Sequence, residues 1–212
     1  MERTAVMADF RIALLGFGRL GRRIAERIDR SAAIVGVFDS AFARPGSDPA
    51  GALRACTVEE FASARGAVAE ARLTIAAVPA EAALEAARSI ASAIEPGAFF
   101  LDLAAANGRI AARAETCIAR AGGRYVGGTL VRSVGTPPLI LLRGRHAPVL
   151  SQLLERIGLA GVAMPIEMRT LAANDRLSES RVVVPFEHVR RAAATRARRA
   201  AELGARPREL IA

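Results

Sequence analysis

Three glycines and one aspartate carry the clearest chemical signal in this chain. They are Gly16, Gly18 and Gly21 in the run Gly16-Phe17-Gly18-Arg19-Leu20-Gly21, and Asp39 at the end of the apolar run 33–38. An apolar stretch, 12–15, precedes the glycines, and Leu20, Ile24 and Ile28 follow at helical spacing. Gly16 permits a tight strand-to-helix turn, Gly18 lets a pyrophosphate approach the backbone, and Gly21 lets the helix lie close to the strand. The helix start then turns its free N–H groups and partial positive charge toward the phosphates, with Phe17, Arg19 and Leu20 completing the loop. A carboxylate at the tip of the second strand, here Asp39, is placed to hydrogen-bond the adenosine ribose. The plainer alternative is an ordinary tight turn and a strand that happens to end in an acid. Strand, glycines, helix, strand and acid in this order favour a dinucleotide, NAD or NADP. Asp39 repels a 2′-phosphate, whereas Ser40 and Arg44 just beyond are placed to accommodate one.

The elements needed to position these residues are legible along the chain. Further apolar strands are expected at 73–78, 99–103, from Tyr125, at 139–142 and at 161–164. Helical patterns are expected near 50–55, from Val58, and over 81–94, 109–121 and 148–157. Strands alternating with helices predict an α/β fold, a Rossmann-type doubly wound and mostly parallel sheet covered on both faces. In such sheets ligands bind beyond the carboxyl ends of the strands. That gathers the glycine loop, Asp39, Val78, Pro79 and the segment after Leu103 around one crevice. The pattern changes near Arg169, predicting a dinucleotide-binding domain over 1–168, then a linker and long helix over 169–212. On that helix Phe186, Val189, Ala193, Ala197, Ala200 and Leu203 recur three and four apart. A lone apolar stripe needs a partner surface, so a homodimer formed through this helix is expected.

Composition narrows the function classes. The 212 residues carry a formal charge of +9, which invites a nucleic-acid reading. All the basic residues are arginines, they are scattered, and one tyrosine and no tryptophan leave little for base stacking. No nucleic-acid partner is therefore expected. No apolar run reaches the roughly 18 residues of a membrane helix, and the first residues lack a signal-peptide core, so a cytoplasmic protein with no membrane partner is expected. Cys56 and Cys117 are far apart, and no metal-ligand spacing is seen. Of the two histidines, His146 reads as a surface turn residue and His188 as an exposed helix residue, though a partner subunit's site could lie near the latter. Asp102 and Tyr125 read as structural.

The segment 99–108 (FFLDLAAANG), a helix, and then 123–133 (GRYVGGTLVRS) resemble the β-hydroxyacid dehydrogenase superfamily, which includes 6-phosphogluconate and 3-hydroxyisobutyrate dehydrogenases. Gly16-Phe17-Gly18, Phe38-Asp39, Pro137-Pro138 and 142–147 (LRGRHA) fit the same pattern. The likeness covers residues 11–160. It implies an NAD(P)-dependent oxidoreductase that moves a hydride between nicotinamide and a small hydroxyacid, carbonyl or imine substrate, with Val78 and Pro79 lining the cofactor's path. In the family the loop after the 99–103 strand carries serines that hold a substrate carboxylate. Here only Asn107 offers a polar side chain. The family's general-acid lysine has no counterpart, because the chain contains no lysine. Arg176 falls nearest that position, where a permanently charged guanidinium can anchor an anion but is a poor proton shuttle. Residues 169–212 are also far too few for the family's helical C-terminal domain. The alternative is a dinucleotide-binding protein that has lost catalysis and acts as a sensor or partner subunit.

Overall fold

The computed structural model describes residues 10–164, other than 45, 55, 105, 134 and 135. Its centre is an eight-stranded sheet in the order β3-β2-β1-β4-β5-β6-β7-β8. Strands β1 (Arg11–Leu15), β4 (Leu73–Ala76) and β5 (Phe99–Asp102) lie in the middle, and almost every residue in them is buried. This explains why they are mostly apolar, since a strand covered on both faces has no polar side; Thr74 and Asp102 are the buried polar exceptions. On one face Leu14, Val35, Ile75 and Leu101 pack under α1 (Arg19–Ala25) and α6 (Ala147–Arg156). On the other, Ala13, Leu15 and Phe100 pack under α3 (Ala64–Val68), α4 (Ala83–Ile90) and α5 (Gly108–Arg120).

The pairings among β1, β2 (Ile34–Phe38), β3 (Glu59–Glu60), β4, β5 and β6 (Arg124–Ser133) are all parallel. β7 (Thr136–Arg143) runs antiparallel to β6, and β8 (Gly161–Ala163) parallel to β7. The expected Rossmann-type, mostly parallel sheet is therefore present, with one antiparallel pair. From β1 the chain moves outward to β2 and β3, then returns to the other side of β1 as β4. The β1/β4 boundary is thus the point where strand order reverses.

Two expectations need correction. The helix expected from Val58 is absent. Glu59 and Glu60 instead form the edge strand β3 against Gly36 and Val37, and the Phe61 ring occupies the space a side chain at Gly36 would need. The helix begins later, at α3, where the Ser63 side chain accepts the Gly66 N–H. The helix expected over 81–94 opens as a 3-10 turn, Ala80–Ala82, and its α-helical part ends at Ile90. Beyond it the N–H of Ala93 bonds back to Ile90, a tightened last turn that still buries Ile94. The helix near 50–55 is α2 (Asp48–Leu53), started by Ser47. At the end of α5, Gly122 (φ +85°) lets its own N–H and that of Gly123 satisfy Ala119 and Ile118, the Schellman pattern.

Candidate functional site

The loop after β1 sits at this reversal point, and its glycines have three separate physical reasons. Gly16 has φ +91°, and a Cβ there would lie 2.6 Å from the Ala77 carbonyl oxygen. The turn therefore needs both the left-handed backbone and the close approach to the end of β4. A Cβ on Gly21 would overlap the Gly16 carbonyl, so α1 could not start this near β1 with any other residue. Gly18 differs from both. Its φ is −70°, an angle any residue adopts, and a Cβ would meet nothing within 4 Å. Nothing among the described residues requires glycine there.

Gly18 is also the N-cap of α1, and it supplies no side-chain acceptor. The first turn of the helix contains no acidic residue. Arg19 is exposed, whereas Leu20 leans against the core. Phe17 is fully buried and meets Phe42 edge-on at 6.0 Å. Its backbone N–H donates to Asp39 Oδ2 at 2.7 Å. The other carboxylate oxygen of Asp39 accepts the Ala41 N–H at 2.8 Å. Phe17 thus shapes the loop from beneath, with both its side chain and its amide already engaged. Asp39 is a half-buried clasp joining the tip of β2 to the glycine loop and to the 3-10 turn Ser40–Ala43. An ionised carboxylate has about four acceptor positions, and these two bonds leave part of that capacity free. Ser40 is exposed at the start of the turn. Arg22 donates to Asp48 at 2.6 Å, tying α1 to α2 beside the same loop.

From the far side of the reversal point, Val78 abuts Gly16, with Cγ1 3.2 Å from the position of a Gly16 Cβ, and Pro79 is exposed beside it. At the end of β5, Asp102 is buried and accepts the Ala104 N–H at 2.9 Å and the Tyr125 hydroxyl at 2.8 Å. Burial first, and then the Asp102 charge, push the Tyr125 phenol far above its ordinary pKa. Asn107 is exposed and caps α5, its Oδ1 accepting the Ile110 N–H at 3.0 Å. Among the described residues its side-chain amide N–H groups donate to no neighbour, so they stay available as donors. Gly128 serves packing, because a Cβ there would run into Leu103 and Leu101.

His146 lies away from this crevice. β7 runs against the parallel strands, so the turn after it delivers His146 toward Arg124, at the start of β6. Its Nε2 accepts from Arg145 at 2.9 Å. Partial burial, then Arg145 and Arg124, lower its pKa. Arg176, His188 and the terminal helix lie outside the described residues. Among the described residues no helix is long and apolar enough to cross a membrane, and no group of three His, Cys, Asp or Glu side chains is placed to hold a metal ion.

Two links escaped the sequence reading: the Asp39–Phe17 clasp and the Tyr125–Asp102 bond. Each spans more than twenty residues. The local half of each was in principle visible. Asp29, Asp39 and Asp102 all bond the N–H two residues on, the Asx turn that aspartate favours.

Comparison with known proteins agrees with this geometry. Residues 11–131 match the family model described as the NAD binding domain of 6-phosphogluconate dehydrogenase. A conserved hypothetical protein from Sinorhizobium meliloti 1021 is 27% identical, with a TM-score of 0.67 over 76% of this chain and 55% of its own. A 3-hydroxyisobutyrate dehydrogenase from Mycobacterium tuberculosis is 22% identical, with a TM-score of 0.62 over 73% of this chain and 54% of its own. An imine reductase from Myxococcus stipitatus, solved with NADP+, is 17% identical, with a TM-score of 0.59 over 72% and 54%. The chain therefore spans little more than half the length of these structures. No curated protein matches it. With more than half of its length inside that family model, this chain belongs to the family of NAD-binding domains of 6-phosphogluconate dehydrogenase.

Proposed function

We propose that the chain binds NAD or NADP across the β1/β4 boundary and serves hydride transfer to or from a small hydroxyacid, carbonyl or imine substrate. The observation that carries this reading is the open space over Gly18. It lies beside a helix start with no side-chain cap and a carboxylate already fixed at the tip of β2. These residues fit a dinucleotide. The uncapped amides of the first turn of α1 suit the pyrophosphate, and the unused acceptor positions of Asp39 suit ribose hydroxyls. When bound, the nicotinamide gives or takes the hydride.

The protein's own groups then bind and orient. Val78 and Pro79 wall the path from adenosine to nicotinamide, and the Asn107 amide donates to a substrate oxygen. Arg176 holds a substrate carboxylate or a developing oxyanion without itself exchanging a proton. The fixed charge of Asp39 opposes a 2′-phosphate, so NADH binds more tightly than NADPH. The terminal helix pairs with that of a second copy.

Titration of the full chain with NADH and NADPH, followed by turnover assays over hydroxyacids, carbonyls and imines, tests this reading. The expected result is tighter binding of NADH and turnover of at least one substrate class. Arg176→Ala is expected to lower kcat/KM about 100-fold, the scale of losing one electrostatic stabiliser, while cofactor affinity stays the same. Saturable cofactor binding with no turnover across the panel would contradict the hydride-transfer part.

A further inference from the structure

The second face of the sheet carries a groove that the cofactor site does not use. It is a largely open groove of about 620 Å³ between α4 and α5. Its floor is made of half-buried side chains, the small Ala91, Cys117 and Ala121 with Leu84 beside them, and three exposed arginines, Arg88, Arg113 and Arg120, stand along it. None of the lining residues is acidic. Among the described residues these arginines have no carboxylate within ion-pair distance, unlike Arg11 and Arg22, which are paired with Glu59 and Asp48. Repulsion among unpaired guanidiniums costs free energy in the isolated chain, and an anionic partner would relieve it.

Spacing selects the kind of partner. Arg113 and Arg120 are two turns apart on α5, about 10 Å along its axis. A single phosphate or carboxylate reaches only one of them. A helix presenting carboxylates at i and i+7 reaches both, and the small floor residues let its backbone come close. The chain's own terminal segment has the wrong sign, since it carries Arg190, Arg191, Arg196, Arg198 and Arg199. We propose that the α4/α5 groove docks an acidic amphipathic helix of another polypeptide, with alanine-sized side chains on the floor and carboxylates on Arg88, Arg113 and Arg120. This is independent of the cofactor reading.

Fluorescence anisotropy with a labelled synthetic helical peptide tests it. The peptide carries glutamates at i, i+4 and i+7 beside an alanine stripe. A second peptide of the same composition has its glutamates spread around the helix. The expected result is saturable, salt-sensitive binding of the first peptide, weakened about tenfold or more by Arg113→Glu with Arg120→Glu. Arg23→Glu with Arg27→Glu, an equal charge change on α1 and the turn that follows it, across the sheet, should leave it nearly unchanged. Circular dichroism confirms that both double variants fold. Equal affinity for the two peptides, or equal loss in both double variants, would reduce the effect to overall charge and overturn the proposal. So would full competition by inorganic phosphate at matched ionic strength, which would make the groove a small-anion site.

Discussion

Asp39 carries two duties in the same carboxylate. Its oxygens accept the Phe17 and Ala41 N–H groups, and the acceptor positions left over are the ones proposed for the ribose. Hydrogen bonds to a charged acceptor are worth about 1.5–3 kcal/mol each. Asp39→Ala removes both, but the site is only half buried, so water replaces part of the loss. The expected destabilisation is about 2 kcal/mol by urea unfolding. A change below about 0.5 kcal/mol would show that the clasp does not hold the turn. Asp39 is thus a poor single probe of cofactor binding, since its removal loosens the loop as well as the ribose contact. Gly16 and Gly21 share that defect, because any side chain there collides with backbone. Gly18 does not.

At the scale of elements, the Tyr125–Asp102 bond joins the exit of β5 to the start of β6. It holds the segment leading to Asn107 and α5. Tyr125→Phe leaves a buried carboxylate oxygen without its donor, at a cost of about 1–3 kcal/mol. Burial of the phenol, with Asp102 beside it, also sets a pH dependence. The folded-state pKa of Tyr125 is raised above its ordinary 10.0, so the folded state favours the protonated phenol. This stability is fully present below pH 10 and is lost as pH rises above it. Because Tyr125 is the only tyrosine, ultraviolet difference spectroscopy reads it cleanly. Tyrosinate absorbance should rise together with unfolding. A titration near the ordinary value in a chain still folded by circular dichroism would show that the phenol is not held in this way.

Element order was largely legible in the sequence because central parallel strands are mostly apolar on both faces, and 12–15, 73–76 and 99–102 are so, with only Thr74 and Asp102 as buried polar exceptions. Asn107 and the Gly122-Gly123 pair marked the ends of α5 for similarly local reasons. The edge strand β3 was not legible. Two exposed glutamates carry no strand signal, and their conformation is set by pairing with β2 and by Phe61 lying over Gly36. The β6–β7 hairpin was hidden too, because parallel and antiparallel strands look alike when read singly. In the site, the glycine spacing announced the loop. The occupation of Phe17 by Asp39 depends on how β2 lies against β1, which no local pattern encodes.

At the scale of the whole molecule, the reversal of strand order at β1/β4 brings Gly16, Val78 and Asp39 to one end of the sheet. It leaves His146 toward the other end and the arginine groove on the outer side of α4 and α5. The molecule thus has two separate surfaces, the Gly18 end of the sheet proposed for a cofactor and the basic groove proposed for an acidic helix. Belonging to a family of NAD-binding domains fits the first. The central claim is that the empty space over Gly18 is kept for a dinucleotide. The direct measurement is NADH affinity and unfolding stability for the parent chain and for Gly18→Ala. The account predicts stability unchanged within about 0.5 kcal/mol, because the new methyl meets no atom of the described residues, and NADH binding weakened at least about tenfold, because it stands in the cofactor's place. Unchanged NADH affinity in Gly18→Ala, or no NADH binding by the parent chain, would contradict it.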